Sequence, residues 1–406
     1  MNALSSSPQS APSAGATGFD PAGLERLVGV VDSHIEKGRI PGATLILARH
    51  GEVVEKAFGR QSPDGLAPMA IDSIFRIYSM TKPIISVAVM MMVQEGRFPI
   101  SEPVSTFLPE FKGVQVGVET IDTSGKPVLL LEPCKQEMTI QDLLRHTAGL
   151  TYGIFGESTL VKQAYRTSGV ESRHVTNTEL VSKLSQLPLA LQPGTCWEYS
   201  RATDVLGALL ERLSGQTLDV HLRETVFGPL NMPDTGFWVD AANQHRIAEP
   251  FETDPVHGTQ VRLLDVGSRP SFLSGGGGLV STAHDYLRFA RMLQGGGALD
   301  GVRLLARKTI EFMTADHLAV LPGATAGPMY LPGPGYGFGL GFGVRTAQGG
   351  PWTPGSVGDF NWSGLAGTYF WIDPAEDLIA IWLMQAPEQR DYFRQLLRTL
   401  VTACLR

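Results

Sequence analysis

Apolar residues in FDPAGLERLVGVVDSHIEKG, which begins at Phe19, return every three or four positions, the spacing that gathers them on one face of a helix. Asp20 stands where an N-cap would and Pro21 where the first helical residue would, so the pattern predicts a helix from there to about Gly38. The period then shortens. GATLILARHGEVVEKAFGR is two β-rich runs about His50-Gly51, a hairpin pattern. A strand-like SIFRIY leads into SMTKPIISVAVMMMVQEG, whose apolar run predicts a core helix, and Pro83 limits how far upstream that helix can run, placing Ser79 close to its start. From about residue 139 to 315 the signals are mostly helical, in TIQDLLRHTAGL, NTELVSKLSQL, SRATDVLGALLERLSG, STAHDYLRFARML and ARKTIEFMTADHL, with Pro- and Gly-containing loops between them. Near Gly333 the character changes again: GYGFGLGFGVRT, GTYFWIDP and LIAIWLMQ are strand candidates in succession, and EQRDYFRQLLRTLVTACL closes the chain as an amphipathic helix.

Strands near both ends with helices between them predict an α+β fold. A two-stranded hairpin is marginal by itself, so the N-terminal hairpin is expected to join the C-terminal strands in one antiparallel sheet flanked by the terminal helices. The division that follows is a flexible tail over residues 1–18, a sheet domain from 19–78 and 333–406, and a mostly helical inserted domain over 79–332, with the site at their interface.

Composition narrows the classes of function. With 43% hydrophobic and 18% charged residues the chain suits a compact globular protein. A net charge of −7 without a basic run offers no attraction to nucleic acid or anionic lipid. Cys134, Cys196 and Cys404 are odd in number and far apart, which argues against a disulfide framework. The opening MNALSSSPQSAPSAGATG lacks a basic segment followed by an apolar one, so a tail rather than a signal peptide is expected, and a cytoplasmic setting with it. VAVMMMV is far shorter than the roughly 20 apolar residues of a membrane span.

Candidate chemistry starts at Ser79-Met80-Thr81-Lys82, the sole S-x-x-K in the chain. At that spacing the two side chains are neighbours on a helix whose N-terminus offers free N–H groups, and a lysine among apolar side chains would have its ammonium form disfavoured and so could accept or relay a proton. The plain alternative is a serine cap followed by a solvated lysine. Tyr199, in PGTCWEYSRATDVLG, could simply pack; beside a lysine its phenol could instead accept a proton. In GDFNWSGLAGTYFWIDP, a strand entering the site would let the Leu365 N–H join that of Ser79 as an oxyanion hole.

Taken in order, SMTK, LLRHTAGL, PGTCWEYS, GGGGLVSTAHDYLRFARML, YGFGLGFGV and WSGLAG resemble the serine β-lactamase and penicillin-binding-protein superfamily, specifically its class C β-lactamase-like branch containing the family VIII carboxylesterases. The resemblance covers roughly residues 20 to 400. It implies a β-lactamase/transpeptidase-like fold and catalysis by Ser79, with Lys82 and Tyr199 as its base system and the Ser79 and Leu365 N–H groups as oxyanion hole. Where the lactamases of the superfamily have Tyr-x-Asn and Lys-Thr-Gly, this chain has Tyr199-Ser200-Arg201 and Trp362-Ser363-Gly364. A tryptophan there supplies apolar surface and no cation for a substrate carboxylate, which favours uncharged short-chain esters over penicillins. Trp362, Gly364 and Tyr152 are the expected substrate contacts, with Trp362 and Tyr152 as pocket walls. A small-molecule ester is the expected partner, and neither a cofactor nor a metal is required. A β-lactamase, a D-amino-acid peptidase, an acyltransferase or a non-catalytic acyl- or peptidoglycan-binding protein are the alternatives.

Other motifs fall short. There is no G-x-S-x-G and no H-E-x-x-H, and the nine histidines, His146 included, form no ligand spacing. Glycines 337, 339, 341 and 343 alternate with Tyr336, Phe338, Leu340 and Phe342, which predicts one strand with a bare face under a packed element. SGGGGL lacks the Gly-Lys-Ser/Thr of a phosphate loop and is expected to be a close-packed turn.

Overall fold

A computed structural model of the chain describes residues 18–406 except 326, 328 and 329, so the expected tail lies, but for Gly18, outside the described residues. Seven strands form one antiparallel sheet in the order Glu52–Gly59, Gly42–Arg49, Leu378–Met384, Tyr369–Asp373, Phe360–Ser363, Gly343–Arg345 and Tyr336–Phe338. The N-terminal hairpin joins the C-terminal strands where Leu45 pairs with Trp382 and Ile46 with Ile381.

Alternation along the central strands sends side chains to two cores. Leu45, Leu47, Trp371, Ala380 and Trp382 face a core completed by Leu27 and Val31 of the first helix, Pro21–Glu36, and by Phe393, Leu397 and Val401 of the last, Arg390–Thr402. Trp382 and Phe393 stack there with ring centroids 5.7 Å apart, and burying each such ring contributes about 1.5–3 kcal/mol. Ile46, Phe370, Ile379 and Ile381 face the other core, which continues without a break among the helices between the two sets of strands. With both faces covered, a strand such as Leu378–Met384 is buried at every residue, so its sequence is a continuous apolar run.

Helix Thr81–Gln94 runs through this second core with 11 of its 14 residues buried, which explains why its sequence is apolar on nearly every side. Helices Ala202–Ser214 and Ala283–Gln294 share that core. Among the described residues no helix is long and apolar enough to cross a membrane.

Three local expectations need correction. The alternating glycines do not form one strand: Tyr336–Phe338 and Gly343–Arg345 pair with each other across a tight turn in which Gly339 N–H donates to Phe342 O at 2.8 Å. Gly341 sits at φ 98°, and a Cβ there would lie 2.4 Å from Ser86 Oγ, so the turn requires glycine. SIFRIY contributes only the two-residue strand Phe75–Arg76, paired with Val280–Ser281. The stretch expected to be mostly helical also contains a hairpin, Gln115–Ile121 with Pro127–Pro133, that the sequence reading passed over.

Candidate active site

Ser79 lies in a short 3-10 turn, Tyr78–Met80, just ahead of the helix Thr81–Gln94. Neither element has a side-chain cap, so the serine hydroxyl is not spent on a helix terminus, contrary to the capping role considered from sequence. Tyr78 takes φ 45°, left-handed backbone that costs free energy for a residue with a side chain. Its ring is buried and its hydroxyl accepts the Leu264 N–H at 3.0 Å, which holds the bend that presents Ser79.

One turn on, Lys82 is buried with 1% exposure and its three ammonium protons have three acceptors. Nζ donates to Gly276 O at 2.6 Å, to the Tyr152 hydroxyl at 3.2 Å and to Ser79 Oγ at 3.3 Å. Burial, the largest influence, pushes Lys82 toward its neutral form, but the Tyr152 and Tyr199 oxygens and the Asp204 carboxylate outweigh it and hold the ammonium above its ordinary value. The apolar chain neighbours that argued for a disfavoured ammonium are thus only half of its surroundings. Burial likewise keeps the Tyr152 hydroxyl protonated, against the pull of Lys82.

The carbonyl that holds Lys82 belongs to the SGGGGL turn, which is indeed packed against backbone. A Cβ on Gly275 would lie 2.5 Å from Thr203 O, and one on Gly276 2.8 Å from the Asp204 carboxylate. Asp204 accepts from Gly276 N–H at 2.8 Å and from Ser274 Oγ at 2.6 Å, and pairs with Arg201 at 3.3 Å. Arg201, the departure from Tyr-x-Asn, also pairs with Glu171 and lies 5.0 Å from the Tyr152 ring centroid, so it braces Tyr152 and the turn.

Tyr199 donates its O–H to Ser79 Oγ at 2.6 Å, and Lys82 Nζ lies 4.5 Å from the centroid of its ring. Trp197 stacks on that ring at 5.9 Å, and His146 and Trp362 approach it at 5.2 and 5.7 Å, so its position is fixed by packing. Next to it the strand Phe360–Ser363 ends at Gly364, where a Cβ would lie 2.3 Å from Ile77 O. Only glycine lets the strand end come this close to the segment that carries Ser79, and Thr368 Oγ1 donates to the same Ile77 carbonyl at 3.1 Å.

Ser79, Tyr199, Trp362, Gly364 and Leu365 border one cavity of about 510 Å³. Tyr152 does not line it. The sequence reading made Tyr152 a pocket wall, but its ring is buried behind Tyr199, 5.3 Å from that ring, with its hydroxyl on the lysine. Asp204 and the Gly276 carbonyl escaped that reading, although Asp204 follows Tyr199 by five residues and the glycine run had been singled out. The missing signal was their meeting, made by two segments about 70 residues apart.

The arrangement contains the parts of a nucleophilic site: a hydroxyl on a strained bend, a phenol on the same hydrogen-bond line, a cation beside both, and backbone N–H groups at a strand end.

Comparison with known proteins finds similar chains. The family model described as Beta-lactamase matches residues 27–403. Protein Rv1367c of Mycobacterium tuberculosis is 36% identical over 357 residues, covering 86% of this chain and 87% of its own. Esterase EstB of Burkholderia gladioli is 31% identical over 385 residues, covering 88% of this chain and 89% of its own. Among solved structures, EstCE1, described as a hydrolase with promiscuous acyltransferase activity, superposes with a TM-score of 0.77 at 26% identity, covering 94% of this chain and 98% of its own.

Proposed function

We propose that this chain, which belongs to the β-lactamase family, is a carboxylesterase acting through an acyl-Ser79 intermediate. The observation that carries the reading is the hydrogen bond of 2.6 Å between Tyr199 and Ser79, with the cationic Lys82 donating to the same serine. In the reactive form Tyr199 has first given its own proton to solvent and stands as a phenolate beside the Lys82 ammonium, which balances its charge; its oxygen then takes the Ser79 proton as Oγ bonds to the ester carbonyl carbon, leaving the neutral phenol. The Ser79 and Leu365 N–H groups hold the tetrahedral oxyanion. Collapse breaks the bond to the alcohol oxygen, and Tyr199 returns the proton to it. A water then repeats the sequence on the acyl-serine and releases the acid.

Trp362 in place of a lysine, and Arg201 turned toward Asp204 and Glu171, support esters over lactams, as does the likeness to an esterase. A second reading replaces water by an alcohol. The likeness to EstCE1, a hydrolase with promiscuous acyltransferase activity, favours keeping it, because the two reactions share every step up to the acyl-enzyme.

Hydrolysis of a short-chain p-nitrophenyl ester and of a chromogenic cephalosporin, by wild type and Ser79→Ala, tests the proposal. Ester turnover that disappears in Ser79→Ala, together with an acyl adduct on Ser79 by mass, is the expected result. Turnover surviving the substitution sinks the nucleophile, and faster lactam than ester turnover sinks the esterase reading. Adding an alcohol and measuring transesterification separates hydrolysis from acyl transfer.

A further inference from the structure

Behind the two tyrosines that meet at Lys82 lies a charged pair that no step of the reaction uses. Lys162 and Glu198 are 6% and 5% exposed, and Lys162 Nζ lies 3.1 Å from Glu198 Oε1. Burying two charges costs free energy that their attraction returns only in part, and apolar side chains would pack such a place as well. Lys162 is also at the wrong end of its helix. It is the third residue of Leu160–Thr167, and the positive end of a helix disfavours a cation. Neither stability nor helix formation accounts for the pair, so its contacts must.

Those contacts join the segments that carry the site's aromatic side chains. Glu198 immediately precedes Tyr199, and its Oε1 accepts from Thr151 Oγ1 at 2.7 Å. Thr151 in turn precedes Tyr152, whose hydroxyl accepts from Lys82. Lys162 Nζ donates to Phe155 O at 3.0 Å. Phe155 borders the cavity, with its ring 5.3 Å from that of Tyr152 and 6.0 Å from that of Tyr199. The stretch between Thr151 and Phe155 is seated on the same helix: a Cβ on Gly153 would lie 3.1 Å from Lys162 O.

We infer that Lys162 and Glu198 are positioning residues: together they fasten the Thr151–Phe155 segment to the stretch carrying Tyr199 and so hold the Tyr199 oxygen on Ser79. Neither borders the cavity, so neither touches a reacting atom. Trp197, His146 and Trp362 pack on the Tyr199 ring directly, and the charged pair fixes the two further rings, Tyr152 and Phe155, that complete its surround. An ion pair tied to a hydroxyl and a carbonyl has one geometry, whereas apolar contacts between the same segments would tolerate sliding. Sliding matters here, because a displacement of about 1 Å at a reacting centre costs a rate up to about 10²-fold.

The inference rests on the esterase reading for the reaction it serves, so its test has two readouts. One is kcat and KM for p-nitrophenyl acetate; the other is the rate at which diisopropyl fluorophosphate modifies Ser79, followed by mass. In the second, Oγ bonds to phosphorus, fluoride leaves and Tyr199 takes the serine proton, so the same geometry is needed without turnover of an ester. Removing one partner strands a buried charge, so the decisive variant is the neutral Lys162→Met/Glu198→Gln, in which the glutamine can still accept from Thr151. Its melting temperature is expected to stay near that of the wild type, while kcat and the labelling rate each fall about ten-fold or more and KM changes less than about two-fold. Lys162→Arg, which keeps the charge and its donors, retains most of both rates. A folded double variant with wild-type rates overturns the inference, as does a loss carried by KM alone or a Lys162→Arg protein as slow as the double variant. Thr151→Val leaves the ion pair in place and decides the matter if the double variant is unfolded: a drop of about three-fold or more in both rates supports the inference and wild-type rates overturn it. Labelling that falls as expected, in a protein that turns over no ester, supports the positioning role and sinks the esterase reading. A wild type whose Ser79 is never labelled overturns both.

Discussion

Lys82 and His146 both lie against the Tyr199 ring, Nζ at 4.5 Å and the imidazole at 5.2 Å from its centroid, and both are buried, yet their proton affinities move in opposite directions. Lys82 is held above its ordinary value and His146 well below its own. Burial disfavours the charged form of each, so the difference comes from partners. Lys82 has three oxygen acceptors and the nearby Asp204 carboxylate. His146 has the Ser200 hydroxyl at 3.2 Å and the rings of Trp197 and Phe338 at 5.5 and 5.7 Å, and it feels the positive charge of Lys82. One side of Tyr199 thus favours a cation and the other a neutral ring. In the proposed mechanism this arrangement lets Tyr199 exchange a proton with Ser79 without either neighbour competing for it.

Removing the cation should have the largest effect. Lys82→Met keeps the volume and leaves Gly276 O and the Tyr152 hydroxyl without their donor, so kcat for ester hydrolysis is expected to fall by roughly 10²–10⁴, the range of a lost proton-transfer system. Steady-state kinetics beside a melting curve would show it. A loss under about ten-fold, in a variant that stays folded, would mean that the cation is not what separates the two sides.

Tyr152→Phe is milder and tells two roles apart. The ring stays and only the acceptor goes, so a pocket wall would be unharmed. As a partner of Lys82, the hydroxyl takes with it one charge-assisted hydrogen bond, and kcat/KM is expected to drop about ten-fold, with the change in kcat rather than KM. An unchanged kcat with a raised KM would return Tyr152 to the wall.

Tyr152 also marks where the sequence stopped being legible. The hairpin that joins the C-terminal strands, the terminal helices that flank the sheet and the buried helix after Ser79 could each be anticipated, because a period or a cap within a few residues encodes them. The run from Tyr336 to Gly343 misled because glycine alternation suits a bare strand face and a tight turn equally well until Gly341 is seen at φ 98°. Gln115–Ile121 and Pro127–Pro133 form a hairpin with both faces partly exposed, so no apolar alternation marks it strongly. The state of Lys82 was out of reach for a different reason. Its apolar neighbours lie beside it in the chain, while Tyr152, Asp204 and Gly276 come from 70 to about 190 residues away.

The smallest effect concerns stability and tests the neutral side of the comparison. The folded His146 binds a proton only well below the ordinary histidine value of 6.5, whereas the unfolded chain takes one up near 6.5. Below that pH the unfolded state holds more protons than the folded one, so stability falls as pH falls, by about 1.4 kcal/mol per unit for one proton, until the folded group itself titrates. Burial moves His221 and His317 in the same direction, so the wild-type slope is a sum and only a difference isolates one residue. His146→Asn is the suitable partner: asparagine does not titrate here, tolerates the φ of 58° at this position and can keep a bond to Ser200. Urea unfolding between about pH 7 and pH 5 should show the stability of the variant declining less steeply than that of the wild type, by a difference that is small at pH 7, approaches about 1.4 kcal/mol per pH unit near pH 5 and totals about 2 kcal/mol over the range. Equal slopes would mean that the folded histidine accepts a proton after all. Tyr199 would then have a cation on either side, and Lys82 could no longer be singled out as the one that balances the proton it exchanges with Ser79.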